Sequence, residues 1–259
     1  MAIKEANIKE ICEFISGYSS TLLAGGASTE FTMNVTDRLT RTYKVTCETS
    51  IFPMHIYVSV WDEKKESTYS INQKIPSLGL DFARNTRLNK LSKRIERERL
   101  SIDDADQLFK DILATPRLKT WVVTALASAA NASFCYLFGG DWISMFIVFV
   151  ATVYGFTLKH LLVKHTKMDI RIITITAACL SAIVASAGYI FQLGGTPDIA
   201  LATSVLYLVP GIPYINAISD MLSGHHICAF SRFFNAAILT VCLSIGLSIG
   251  LIIMHFHFM

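Results

Sequence analysis

The stretch LYLVPGIPYINAISDMLSGHH, Leu206–His226, sets two prolines and a glycine inside a strongly apolar run. Pro210 removes a backbone donor and clashes with the preceding turn. Gly211 permits conformations that other residues resist, and Pro213 suits the first turn of a new helix. The spacing predicts a half-helix, a short unwound stretch and a second half-helix. A helix start within an apolar segment presents amides with partial positive charge, which suit a carboxylate. The expected donors are the amides near Tyr214. Behind them come Asn216, Asp220 and, at the start of the next apolar run, Arg232. Asp220 has the chemistry of a proton carrier or of a partner for a substrate amine. Arg232 can hold Asp220 charged or take a second carboxylate. Ser128 and Asn131 add polar groups in the middle of an earlier apolar run, where they either join helices or line a path. The pattern points to binding and translocation of a small carboxylate. Two plainer readings stand beside it: a proline kink whose freed groups are satisfied by neighbours, and an Asp220–Arg232 ion pair that is only structural.

Other chemistry finds less support. The six cysteines form no C-x-x-C pair, and no H-E-x-x-H motif occurs. The histidine pairs His160/His165 and His225/His226 lack a carboxylate at ligand spacing, so no metal is expected. His55 is the only histidine before residue 116, and no Ser or Cys there has an evident base, which argues against an enzyme. The glycine pair in GGAST (25–29) follows no strand and precedes no G-K-[ST], so it is not read as a phosphate cradle and ATP drive is not expected. No cofactor is expected.

The elements that position these residues follow from the charge distribution. Residues 1–119 hold 18 of the 23 Lys and Arg and 16 of the 20 Asp and Glu, while the other 140 residues are strongly apolar. This divides the chain into an α+β domain, 1–115, and an all-α membrane domain, 116–259. In the first, residues 5–24 repeat apolar positions at helical spacing, and Ser28 or Thr29 caps a second helix. YKVTCETSIFPMHIYVSVWD reads as two strands, with Ser67–Ile71 a possible third. Helices follow over 80–98 and 102–114. Seven basic residues lie between Arg84 and Arg99. They read as a solvated face, then as attraction to anionic lipid; a net charge of +3 gives no case for nucleic acid.

Five spans are predicted: 118–138, 142–163, 170–192, 197–219 and 230–256, the fourth broken by Pro-Gly-x-Pro. KHLLVKHTKMDIR carries four Lys or Arg, whereas GGD and GGT carry none. This bias places the basic links and the N-terminal domain in the cytoplasm, and the tail after Ile253 outside. The charged N-terminus, MAIKEANIKE, shows no signal-peptide core, which agrees. Small residues recur in rows: Ala125/Ala129/Ser133, Thr174/Ala178/Ala182/Ser186, and the G-x-x-x-G of Gly246 and Gly250. Such rows allow close helix approach, within the bundle or, for Gly246 and Gly250, between copies in a homo-oligomer.

These pieces, GGAST, R-x-x-R-L-x-K-L, GGDW at 139–142 and above all LVPGIPYINAISDMLSGHHICAFSR, resemble the bacterial threonine/serine exporter family, in its short YjjP type, the N-terminal half of a split two-component exporter. The resemblance implies a cytoplasmic domain followed by five spans in the cell membrane, and export of small amino acids or of a dicarboxylate such as succinate. Longer members fuse a second block of membrane helices, so it also implies a separate YjjB-type membrane partner. It brings no agreed set of binding residues. The competing reading is a sensor or assembly subunit whose partner carries the path.

Overall fold

The computed structural model describes residues 7–62, 67–76 and 79–258, with side chains to residue 254. The expected helix start at residue 5 and the end of the tail lie outside the described residues. The chain forms two compact units. One takes residues up to Pro116 together with Ile212–Phe234; the other takes Arg117–Gly211 and the residues from Asn235 on. A single cut at 115–116 therefore does not describe the packing, because a later segment returns to the first unit.

The first unit opens with α1 (Ile8–Ala24) and α2 (Thr29–Tyr43), then the strands β1 (Thr46–Ile51), β2 (His55–Trp61) and β3 (Thr68–Lys74), then α3 (Phe82–Glu98) and α4 (Ile102–Ala114). The sheet is an antiparallel meander with β2 central; Thr46 faces Trp61 and His55 faces Lys74. Alternation puts Ile56, Val58 and Val60 of β2 on one buried face, as a period of two requires. They share a core with Ile15, Tyr18 and Leu22 of α1, Leu39 of α2, and Leu88 and Ile95 of α3. Each such side chain contributes about 1.5–3 kcal/mol by leaving water. Tyr18 buries its hydroxyl by donating to the Leu88 carbonyl, and burial pushes its pKa above the ordinary tyrosine value. The helix starts are capped as local chemistry predicts: Ser28 accepts from Phe31 N at 3.2 Å, Asp81 from Arg84 N at 2.9 Å, and Ser101 from Asp104 N at 3.2 Å.

The second unit contains α5 (Thr120–Leu137), α6 (Trp142–His165), α7 (Ile170–Ala185), the short α8 (Ala187–Ile190) and α9 (Pro197–Thr203). A 3-10 turn (Leu206–Leu208) follows, and the unit is completed by the later part of α11 (His226–Phe258). Its interior is built from alanines, among them Ala151, Ala177, Ala178, Ala182 and Ala185, all fully buried. Two of the small-residue rows mate with each other. A methyl on Gly246 would sit 2.8 Å from the Ala178 Cβ, and one on Gly250 would sit 2.7 Å from the Ala182 Cβ. Gly246 and Gly250 thus serve close packing of α11 on α7 within one chain.

Among the described residues, four helices are long and apolar enough to cross a membrane: Thr120–Leu137, Trp142–His165, Ile170–Ile190 and His226–Met254. A fifth span is counted only if Pro197–Leu208 and α10 (Gly211–Leu222) form one bent segment.

Candidate functional site

The break in the fourth apolar run is longer than Pro210 alone requires. Helix α9 already ends at Thr203, and Leu206–Leu208 forms a single 3-10 turn. Val209 is extended (φ −61°, ψ 125°), as the residue before a proline must be. Helix α10 then starts at Gly211, with Pro213 in its first turn. One expectation is corrected here. Gly211 does not supply an unusual backbone: its φ lies outside the left-handed region, and an added Cβ would meet nothing within 4 Å. The preference of Val209 for an extended shape is enough to interrupt the helix.

Beyond the break, α10 and the start of α11 close on the loop that carries GGAST. Asp220 is wholly buried. Its Oδ1 accepts from the Thr29 amide at 2.9 Å, and its Oδ2 accepts from the Thr29 hydroxyl at 3.1 Å. Thr29 is the first residue of α2, so the carboxylate stands at the positive end of that helix. Arg232 Nη1 lies 2.9 Å from Oδ2. No N–H of Nη1 is aligned for a hydrogen bond, so the contact is an ion pair held by charge. The other arm, Nη2, donates to the Ala27 carbonyl at 3.2 Å. Asn216 Nδ2 donates to the Gly26 carbonyl at 2.9 Å, and the Ser223 hydroxyl donates to Glu30 Oε2 at 2.7 Å. Tyr214 stacks edge-on against Phe233, ring centres 5.8 Å apart.

The glycines of the loop are there for shape. Gly26 has φ +90°, and a methyl on Gly25 would lie 2.9 Å from Cγ of Asn85. The helix start that meets a carboxylate is thus that of α2, and the carboxylate is the protein's own. Of the residues singled out in the sequence, Asn216, Asp220 and Arg232 come together on residues 26–29. Tyr214 packs on Phe233, and Pro210, Gly211 and Pro213 form the break. Ser128 and Asn131 belong to the other unit.

In that unit Asn131 is buried, and its amide nitrogen makes two hydrogen bonds. Its Nδ2 donates to Thr152 Oγ1 at 2.7 Å and to the Thr203 carbonyl at 3.1 Å. The Thr203 carbonyl is left over at the end of α9, so Asn131 satisfies an acceptor that the break creates. Ser128 is buried too, but its hydroxyl has no partner among the described residues. Nearby, the hydroxyls of Tyr207, in the 3-10 turn, and of Ser181, on α7, meet at 2.9 Å in the space that a side chain on Gly155 of α6 would fill. Thr152, Gly155, Ser181, Thr203 and Tyr207 were not singled out by sequence; the one signal was a glycine interrupting a 24-residue apolar helix.

At one end of this unit the two glycine-rich links are tied together. Asp141 accepts from Gly195 N at 2.6 Å and from Ser144 N at 2.7 Å, and the Ser144 hydroxyl donates to the Thr196 carbonyl at 3.0 Å. The amide of Gly195, followed by the Ser144 donors, holds the Asp141 carboxyl down at about 2. Among the described residues, no group of three or more His, Cys, Asp or Glu is placed to hold a metal.

Comparison with known proteins supplies the family. A family model described as "Putative threonine/serine exporter" matches residues 13–254, across both units. A protein of Escherichia coli named "Probable succinate transporter subunit YjjP" is 35% identical over 143 residues, 53% of this chain and 54% of that protein. Its namesake in Klebsiella aerogenes is 34% identical over 158 residues, 58% of each. A Mycobacterium tuberculosis protein named "Probable threonine/serine exporter" is 22% identical over 251 residues, 96% of this chain and 47% of that protein. The chain spans about half the length of these curated relatives. No solved structure matches it. With its apolar helices and a match over nearly all its length, this multi-pass membrane chain belongs to the threonine/serine exporter family, a family of transporters rather than enzymes.

Proposed function

We propose that the chain is a subunit of a secondary exporter for small carboxylate metabolites, either a dicarboxylate such as succinate or threonine and serine. The observation that carries this reading is the family match across both units. The names of the Escherichia coli and Klebsiella aerogenes relatives supply succinate and the word subunit, and the latter supports a separate membrane partner of the YjjB type. The basic link between α6 and α7 supports a plasma-membrane orientation with the first unit cytoplasmic and the tail external. Ser128 and Asn131 line the substrate path through the second unit. Pro210, Gly211 and Pro213 form the break whose free Thr203 carbonyl Asn131 takes up. Asn216, Asp220 and Arg232, with Tyr214 packed beside them, hold the 26–29 loop.

A second reading, a sensor or assembly subunit, is favoured by the contacts of Asp220 with Thr29 and Arg232, which engage both carboxylate oxygens within the chain itself. Efflux of labelled succinate, threonine and serine from vesicles separates the two. The exporter reading expects flux only when chain and partner are both present, and expects substitutions of Ser128 or Asn131 to change its substrate dependence. Full flux from the partner alone overturns it in favour of the sensor reading. Full flux from this chain alone removes the partner.

A further inference from the structure

Lys159 lies inside α6, six residues before its end, although by sequence it counts with the basic link. The buried stripe of α6 runs Val148, Ala151, Thr152, Gly155. Lys159 follows Gly155 by four residues, so it continues that stripe one turn further. It is half-buried, and no carboxylate pairs with it among the described residues. A lone ammonium at a span's inward face is costly unless something charged meets it.

Two contacts fix what stands around it. The Asn131–Thr152 hydrogen bond sets the register of the antiparallel pair α5 and α6, which are joined by residues 138–141. Counting along both helices from that bond places Ser128 level with Gly155, and Thr124 level with Lys159. On the other side, the Ser181 hydroxyl donates to the Ala151 carbonyl at 3.3 Å, and a Cβ on Gly155 would lie 3.1 Å from the Ala177 carbonyl. The same counting puts the Lys159 level beside Ile173 and Thr174. Ser128, Thr124 and Thr174 are all buried. The hydroxyls of Thr124 and Thr174 donate to their own helices. The Ser128 hydroxyl is the one with a donor to spare.

We propose that Lys159 and Ser128 form a carboxylate-binding subsite in the interior of the second unit, on the side of Asn131 toward the end of α6. This rests on the exporter reading and deepens it by naming where the cargo's carboxylate is held. An ammonium is a point charge that accepts a carboxylate in many orientations. Such a subsite therefore suits succinate and a small amino acid alike, and leaves discrimination between them to the other end of the cargo. With the basic link in the cytoplasm, the subsite sits on the loading side. The ordinary alternative is a lysine that extends its stem along the helix and places its charge in the nearer interface.

Two experiments decide. The first uses vesicles in which the wild-type chain, with its partner, drives succinate flux. There, Lys159→Gln should raise the half-saturating succinate concentration about ten- to a hundredfold, the range for a lost charge-assisted hydrogen bond. Lys159→Arg should retain most of the affinity, and Ser128→Ala should shift it less than Lys159→Gln. Unchanged dependence in Lys159→Gln overturns the subsite while leaving the exporter reading intact. Absence of carboxylate flux from the wild type overturns both. The second needs no flux. In the wild-type chain with its partner, the Lys159 amine is acetylated with an N-hydroxysuccinimide ester, and modification at position 159 is read by mass spectrometry. Succinate should slow labelling severalfold, and a neutral diamide of the same length should not. Equal labelling with and without succinate refutes the subsite.

Discussion

Asp220 and Lys159 are both ionisable groups among apolar neighbours, and the fold treats them differently. Asp220 is wholly buried and meets an amide, a hydroxyl and a guanidinium within 3.1 Å. Lys159 is half-buried and meets no counter-charge among the described residues. Sequence alone makes Asp220 the more suggestive of the two, because it follows a broken helix. The surroundings reverse that order. A charge whose every partner is fixed in the same chain holds parts together, whereas a charge left without one is available to something that comes and goes.

The comparison can be broken most severely at Asp220. Asp220→Ala leaves the first amide of α2 without an acceptor and Arg232 without its counter-charge. It should destabilise the chain by about 3 kcal/mol, read as a lower melting temperature and lower yield in detergent. Asp220→Asn keeps an acceptor for the Thr29 amide and should cost less, about 1–2 kcal/mol. Exchanging the two charges should not rescue folding, because an arginine at 220 cannot accept from Thr29. A fully stable Asp220→Ala would show that the cluster is not a structural joint.

Gly155→Ala tests the other side. Its methyl would enter the space of the Tyr207 and Ser181 hydroxyls. Overpacking of this kind costs about 1–3 kcal/mol, and Tyr207→Phe in the same chain should recover part of it. The check is thermal unfolding of the single and double variants side by side.

Gly211→Ala should go the opposite way. The position is helical and open, so alanine should stabilise by about 0.4–1 kcal/mol through the unfolded chain, with flux unchanged. Loss of flux in a well-folded Gly211→Ala would restore a role for flexibility at the break.

The smallest effect concerns Asp141. Its carboxyl is depressed to about 2 by the Gly195 and Ser144 donors, below the ordinary aspartate value of about 3.9. A depressed carboxyl adds stability that is fully present above the unfolded value and is lost as pH falls through the folded one. The contribution should therefore fade between about pH 4 and pH 2, and Asp141→Asn should flatten acid unfolding in that window.

How much of this was legible in the sequence depended on distance along the chain. The α1 periodicity, the Ser28 and Ser101 caps and the strand alternation are local, and the first unit carries them all. The rows Thr174/Ala178/Ala182 and Gly246/Gly250 were visible as sites of close packing. That they pack on each other was not, because small residues state how near a neighbour comes and not which neighbour it is. The pairing of Asp220 with Thr29 spans 191 residues, and nothing local to either residue reports it. GGAST looked like a helix end followed by a cap, which it is, while its second role as the seat of Asp220 depends on the fold. The break was placed at Pro210 because proline is a local signal. The break in fact runs back to Thr203, whose carbonyl accepts from Asn131, a partner far away in sequence.

The tie between Asp141 and residues 194–196 has a practical consequence for anyone inserting a reporter. Residues 138–141 and 191–196 look like two independent loops, each short and glycine-rich. They share a carboxylate and two hydroxyls, so they behave as one knot. An epitope or fluorophore placed in either would loosen the other, 54 positions away. The stretch Thr166–Asp169 touches no distant part of the chain through a hydrogen bond among the described residues. It is the better place for a tag that must leave the helix bundle undisturbed.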